Sequence, residues 1–274
     1  MANNKIRLDL YLFEKGFALS RSHAGALIMA GNVYINNQKA LKSGTFINDN
    51  DIVEVKNSSE QFVSRGGHKL MKALTEFSVK LNNKICMDIG ASTGGFTDCM
   101  LQKGAKKVYS VDVGYGQLAW KLRNDPRVVN FERTNIRYID KNLIVDKFDF
   151  ASIDVSFISL KLIFPVLFDL LNDNSKVICL IKPQFEAGKE KVGKKGVVRD
   201  PETHIEVISN VFNYAKNNNF SVLNLTFSPI KGPQGNIEYL VLLKKDTSIE
   251  NCIDTKIIEL TVAAAHQTLS ERVN

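Results

Sequence analysis

The chain has 274 residues, enough for one large domain and a small one. At 44% hydrophobic and 24% charged it is able to bury a real core, which excludes a chain too polar to fold. A net charge of +7 permits a nucleic-acid partner without requiring one, since a mildly basic surface also serves solubility. The leading MANNKIRLDLYL lacks the apolar run of a signal peptide, so a cytoplasmic protein is expected. Cys86, Cys99, Cys179 and Cys252 show no C-x-x-C spacing and mostly sit in apolar strings. That favours buried, reduced thiols over disulfides or zinc. Because no clustered His, Cys or carboxylate ligand set occurs, no metal is implied.

In chain order, residues 1–58 form a unit of their own. Ile6 to Phe13 shows helical apolar spacing, and Ser20 is placed to cap a helix running to Ala30, where Gly31 stops it. Val33-Tyr34-Ile35, the Asn36-Asn37 turn and Ile52-Val53-Glu54-Val55 predict a compact β-element. A polar linker over 59–64 follows, and the domain at 65–274 alternates strand and helix signals as a mostly parallel α/β sheet requires. Strands are predicted at 85–89, 107–112, 127–131, 148–153, 175–181, 220–228 and 237–244, the last two antiparallel. A final helix over about 251–269 should pack through Ile257, Leu260 and Val262 or Ala263.

The most informative stretch is 85–98, ICMDIGASTGGFTD, a buried strand running into a glycine turn that opens a helix. Glycine serves where the backbone needs positive φ or a ligand must come close, and a helix start presents free amides. Ser92 stands where a dinucleotide fingerprint wants its second close glycine, and no P-loop lysine is present. A nucleoside-bearing ligand without a phosphate chain fits better. Gly90, Ser92, Thr93, Gly94, Gly95 and Phe96 are the candidate contacts on the turn. Asp112, at the tip of the second strand, is placed to accept ribose hydroxyl hydrogen bonds, although an acid there can also be a simple strand-end cap.

Six strings carry a specific resemblance: SRGGHKLMKAL at 64–74, DIGASTGGFTD at 88–98, VDVGYGQL at 111–118, SIDVSFISL at 152–160, IKPQFEAG at 181–188 and GNIEYL at 235–240. In this order they resemble the TlyA (hemolysin A) ribosomal RNA 2′-O-methyltransferases, whose catalytic domain belongs to the FtsJ-like group. The resemblance implies a Rossmann-like sheet that binds S-adenosylmethionine. It also implies a catalytic tetrad at the matching positions Lys69, Asp154, Lys182 and Glu238. Asn135 and Ile136, after the third strand, should border the adenine; Asn135 departs from the aspartate many methyltransferases carry near there. The first unit is similar to the RNA-binding domain named after ribosomal protein S4, through Arg7-Leu8-Asp9, Ser20-Arg21-Ser22 with Ala24, and Gly31 to Asn36. That implies phosphate contacts from Lys5, Arg7, Arg21 and Lys42, with solvated surface charge as the plain alternative.

Moving a methyl group to a ribose hydroxyl is an in-line displacement that needs alignment and a route for the hydroxyl proton. The resemblance puts Lys182 nearest that hydroxyl, as base or as positioner, with Asp154 and Glu238 fixing the two ammonium groups. Asp154 and Lys182 could instead form a structural ion pair. The stretch 186–200 is rich in lysine and glycine, and a flexible basic loop would suit RNA capture through Lys189, Lys191, Lys194 and Lys195. Arg65 and Arg133 are lesser candidates for the same role.

Three functions compete: an RNA methyltransferase, a membrane-active hemolysin, and an assembly factor without chemistry. The most apolar stretch, 151–171, is broken by Asp154, Lys161, Pro165 and Asp169, and a bilayer span needs about 20 apolar residues. The intact tetrad positions argue against loss of chemistry. The expected partner is ribosomal RNA or a ribosomal subunit, and the expected state is a monomer. By resemblance the target is a cytidine ribose in 23S RNA, and in the longer members also one in 16S RNA.

Overall fold

The computed structural model describes residues 5–18, 20–29, 31–48, 51–55, 62–246 and 253–270, in two compact units, 1–61 and 62–274. Ala30, Cys252 and the first half of the predicted linker, 59–61, fall outside the described residues.

The first unit runs β1 (Ile6–Arg7), α1 (Leu8–Glu14), α2 (Arg21–Met29), β2 (Val33–Ile35), β3 (Gln38–Lys39), β4 (Phe46–Ile47) and β5 (Val53–Val55). The predicted helix over Ile6 to Phe13 begins two residues late. Ile6 and Arg7 pair with Ile47 and Phe46, and that distant partner holds them extended. Asn36 and Asn37 take φ of +50° and +65°, the left-handed pair that a tight hairpin demands between β2 and β3. Leu8, Leu12, Ala24, Ile28, Val33 and Ile47 close the core.

The second unit opens with α3 (Gly66–Glu76), β6 (Ile85–Ile89), α4 (Gly95–Gln102), β7 (Lys107–Val111), α5 (Trp120–Arg123) and β8 (Val128–Phe131). It continues with β9 (Phe148–Ile153), α6 (Phe164–Leu170), β10 (Leu171–Ile181), α7 (Pro183–Glu186), α8 (Pro201–Lys216), β11 (Ser221–Phe227), β12 (Tyr239–Lys244) and α9 (Thr255–Ser270). The strands form one sheet in the order β11-β12-β10-β9-β6-β7-β8. Only β12 runs against the rest, pairing antiparallel with both β10 and β11. Its N-terminal end therefore lies at the edge of the sheet where β6, β9 and β10 end.

Alternate residues of the strands feed two cores. Cys86, Val108, Phe150 and Leu240 meet α3 and α4 on one face, and Met87, Tyr109, Ala151 and Val241 meet α6, α8 and α9 on the other. Phe62, expected in the linker, is buried in the first of these cores; a Cβ on Gly67 would lie 2.2 Å from its Cγ. The last helix buries Ile258, Val262, Ala265 and Leu269, while Leu260 is 62% exposed, so the buried face is rotated from the predicted one. Cys86, Cys99 and Cys179 are free and buried, and burial pushes their thiols up.

Asp88 of β6 is fully buried. Thr97 donates to its Oδ2 at 2.7 Å and Ser152 to its Oδ1 at 3.0 Å, while Thr97 Oγ1 lies 2.7 Å from Ser110 Oγ. These side chains tie β6 to α4, β7 and β9 beneath the glycine turn. Burial outweighs the hydrogen bonds and raises the Asp88 carboxyl from 3.8 to about 7. The folded state then keeps a proton that the unfolded chain releases, so stability falls as pH rises between those values. Melting curves of wild type and Asp88→Asn should diverge from about pH 4 to about pH 7, the variant gaining relative to wild type. A constant difference across that range would contradict the assignment.

Candidate active site

The site lies where the strand order reverses, between the ends of β6 and β9. The Asp154 amide donates to the Ile89 carbonyl at 2.9 Å, bringing the two strand ends together. Gly90 takes φ +84°, and a Cβ there would sit 2.3 Å from the Asp154 carbonyl oxygen. No other residue fits.

Four charged side chains converge from four places in the chain. Lys69 on α3 places Nζ 2.6 Å from Glu238 Oε2 and 4.0 Å from Asp154 Oδ2. Lys182 Nζ lies 2.6 Å from Asp154 Oδ1. That approach is off the hydrogen-bonding direction, which makes it a charge contact. The result is an alternating row, Glu238, Lys69, Asp154, Lys182, with no net charge. Its inner pair is the more buried: Glu238 and Lys69 side chains are 1% and 9% exposed, Asp154 and Lys182 19% and 11%. Lys182 is extended, φ −111° and ψ 101°, as the following Pro183 requires, and its Nζ donates to Ser156 Oγ at 3.2 Å.

Two cavities meet here. The larger, about 890 Å³, is lined by Asp112, Gln117, Asn135, Ile136 and Phe157 among others. The smaller, about 390 Å³, is lined by Lys69, Lys182, Glu238, Thr93 and Arg65 among others. Gly90, Ser92, Asp154 and Ser156 line both.

The structure separates the glycine-turn residues by role. Gly90 and Ser92 line both cavities, whereas Thr93, Gly95 and Phe96 line only the smaller one. Gly94 borders neither; a Cβ on it would lie 2.3 Å from Leu122 Cδ1, and one on Gly95 would lie 2.8 Å from the Gly67 nitrogen. Packing of α3 and α5 against α4, as much as any ligand, requires these two glycines. Asp112 also braces the turn locally, its Oδ2 accepting from the Ser92 amide at 2.8 Å and its Oδ1 from the Gly114 amide at 2.7 Å. Lone pairs remain on both oxygens for a ligand. Asn135 caps a short 3₁₀ turn, accepting from the Arg137 amide at 3.1 Å.

Lys5 and Lys42 are exposed in the first unit, where Arg7 and Arg21 both contact Asp9. The Arg133 guanidinium lies 4.2 Å from the centre of the Tyr115 ring. Lys189, Lys191, Lys194 and Lys195 are exposed, and Lys191 pairs with Glu206. Contrary to the expectation of a flexible loop, 186–200 is fixed at its far end. Val197 and Val198 are buried, and Asn236 accepts from the Val198 amide at 3.0 Å and donates to the Gly196 carbonyl at 2.8 Å.

Sequence reasoning missed Ser156, Gln117 and Phe157. Phe157 is 91% exposed with φ +63°, an unfavourable backbone for a bulky residue, and its ring centre lies 4.9 Å from that of Phe185. The turn carrying it is held by Glu186, which accepts from Ser159 Oγ at 2.7 Å and the Leu160 amide at 2.9 Å. An aromatic ring directly after the Asp-Val-Ser of the site was the only signal. Among the described residues no group of metal-ligating side chains occurs, and no helix is long and apolar enough to cross a membrane.

The FtsJ-like methyltransferase family matches residues 62–245, and the S4 domain family matches residues 6–53. YqxC of Bacillus subtilis is 49% identical over 99% of this chain and 98% of its own. The 16S/23S rRNA (cytidine-2′-O)-methyltransferase TlyA of Mycobacterium tuberculosis is 41% identical over 97% of this chain and 98% of its own. A solved Streptococcus thermophilus protein, described as a hemolysin, superposes with a TM-score of 0.77 at 45% identity, covering 98% of both chains. The chain therefore belongs to the FtsJ-like methyltransferases, in the branch that carries an N-terminal S4 domain and includes TlyA.

Proposed function

We propose that this protein transfers a methyl group from S-adenosylmethionine to a cytidine ribose 2′-hydroxyl of ribosomal RNA, in 23S and also in 16S. The observation that carries the reading is the seam between the two cavities. One holds the features that suit a nucleoside, the other holds the charged row, and they share Gly90, Ser92, Asp154 and Ser156. The TlyA relative acts on cytidine 2′-oxygens by name and aligns over nearly the whole chain, which supports the same target here.

The larger cavity suits the cofactor because Asp112 offers acceptors for ribose hydroxyls and Ile136 an apolar wall, while Gly90 admits close approach. S-adenosylmethionine supplies a methyl group on a sulfonium, already a good leaving group. The protein's share is alignment and proton removal. Lys182, beside the seam residues Asp154 and Ser156, first releases one ammonium proton to solvent and, as the neutral amine, takes the proton of the 2′-hydroxyl as its oxygen attacks. Asp154 holds Lys182, and Lys69 holds Asp154 while neutralising buried Glu238. The exposed ring of Phe157 offers a stacking surface for the target base. Arg65, on the wall of the smaller cavity, and the exposed lysines of 186–200 face the RNA backbone, with Arg133 as a further contact. The S4 unit docks the same RNA through Lys5, Arg7, Arg21 and Lys42.

Single-turnover transfer of labelled methyl to purified ribosomal subunits tests the chemistry. Lys182→Ala should abolish transfer with cofactor and RNA affinity nearly intact. Lys182→Arg keeps the charge but cannot release a proton, so it should lose about 10²-fold or more in rate. Substantial activity in Lys182→Arg would make the residue a positioner.

Glu238 has a second consequence. Its removal strands the Lys69 charge, and breaking a buried pair costs about 3–5 kcal/mol. Glu238→Gln should therefore melt lower than Lys182→Ala, and Lys69→Met with Glu238→Leu should recover stability without activity. A Glu238→Gln protein as stable as wild type would show the pair is not structural.

For the cofactor, Asp112→Asn keeps one acceptor oxygen and should weaken S-adenosylmethionine affinity less than Asp112→Ala, whose loss is about 10-fold or more. Calorimetry giving unchanged affinity in both variants would remove Asp112 from the site.

A further inference from the structure

The two arginines expected to touch RNA phosphate are not independent of each other. Arg7 grips Asp9 with both prongs, Nε to Oδ1 at 3.1 Å and Nη2 to Oδ2 at 2.9 Å. Arg21 Nη2 donates to the same Oδ2 at 3.1 Å. The Asp9 side chain is 9% exposed, whereas Arg7 and Arg21 remain 44% and 53% exposed. Its backbone is fixed as well: the Asp9 amide donates to the Ser43 carbonyl at 3.1 Å and the Leu8 amide to the Thr45 carbonyl at 2.7 Å. The carboxylate is thus a rigid post with two half-exposed guanidinium groups hung on it. The Arg7 hydrogen bonds, with Arg21 beside them, hold its carboxyl far below the ordinary carboxylate range, so it stays charged.

On charge alone an aspartate is out of place on a surface that binds RNA, since it cancels one of the two positive charges. Geometry gives it a reason. Two guanidinium groups brought together repel, and each long side chain loses rotamer freedom when it is held. A shared carboxylate offsets the repulsion and fixes both forks before any ligand arrives. Arg7 uses two of its five N–H donors on Asp9, and the rest remain for phosphate oxygens, which the planar fork matches in pairs.

We propose that Asp9 is a positioning residue for RNA: it sets Arg7 and Arg21 as a preformed pair of forks for neighbouring phosphates of one RNA strand. This rests on the reading that the S4 unit docks RNA.

The test uses the full-length protein and a transcript of large-subunit ribosomal RNA, with affinity measured over a salt series. Asp9→Asn adds one positive charge, so simple electrostatics expects tighter binding and a steeper salt dependence. Positioning expects the opposite: affinity about 10-fold weaker and a shallower salt slope, with S-adenosylmethionine affinity and melting temperature unchanged. Arg7→Lys, which keeps the charge and loses the fork, should weaken binding similarly. Equal or tighter binding by Asp9→Asn overturns the inference, and so does a loss of affinity that only tracks a lower melting temperature. Full-strength binding by Arg7→Lys overturns it too. A double Arg7→Ala, Arg21→Ala variant that binds as wild type would sink the docking reading itself; weakened binding there beside an undiminished Asp9→Asn removes Asp9 alone.

Discussion

A carboxylate that is 1% exposed cannot remain charged without a partner, and among the described residues Glu238 pairs only with Lys69, at 2.6 Å. The rest of the site follows from satisfying that one buried charge. Lys69 must come from a helix laid across the sheet, so α3 packs on α4 closely enough to require Gly95. Glu238 must lie at the edge where β6, β9 and β10 end, which a strand parallel to them would not allow at its own start. The reversal of β12 puts it there. Asp154 and Lys182 then extend the row outward, each new charge neutralising the last and each lying nearer to solvent than the buried pair.

The same edge explains why two cavities share a wall. At the point of strand-order reversal, the turns after β6 and β9 diverge and leave a crevice, the general binding place of open α/β sheets. Gly90 lets the Asp154 backbone close against the turn, so the row of charges and the ligand crevice stand back to back. Strain gathers on the same turn. Phe157 keeps an unfavourable φ of +63° because Glu186 ties down Ser159 and Leu160 behind it. A conformation of that kind persists only where the surroundings over-determine it.

Much of this was legible in the residues, and the exceptions share a cause. Strands from 85–89 to 237–244 were readable because each is a short apolar run bounded by turn residues, and the glycine turn marked itself by composition. The tetrad positions came through resemblance, since Lys69 and Glu238 lie 169 residues apart and nothing local relates them. What failed was decided by partners far along the chain. Ile6 and Arg7 fit a helical period until Phe46 and Ile47 pair with them. Gly94 and Gly95 read as ligand glycines, and the second demand for glycine there, crowding by Leu122 and by the Gly67 backbone, has no local signal. The lysine-rich stretch 186–200 looks unstructured by composition, yet the Asn236 carboxamide fixes its path. In the last helix, Leu260 fits an apolar face out of phase with the one that Ile258, Val262 and Ala265 bury.

The central claim is that the charged row acts on a ribose oxygen and not on a base. The most direct measurement is nucleoside mass spectrometry of ribosomal RNA incubated with the purified protein and S-adenosylmethionine carrying a heavy methyl group. The account predicts that the heavy methyl appears on the ribose of cytidine, as 2′-O-methylcytidine. A heavy methyl found on a nucleobase, or none in any ribosomal RNA, would contradict it.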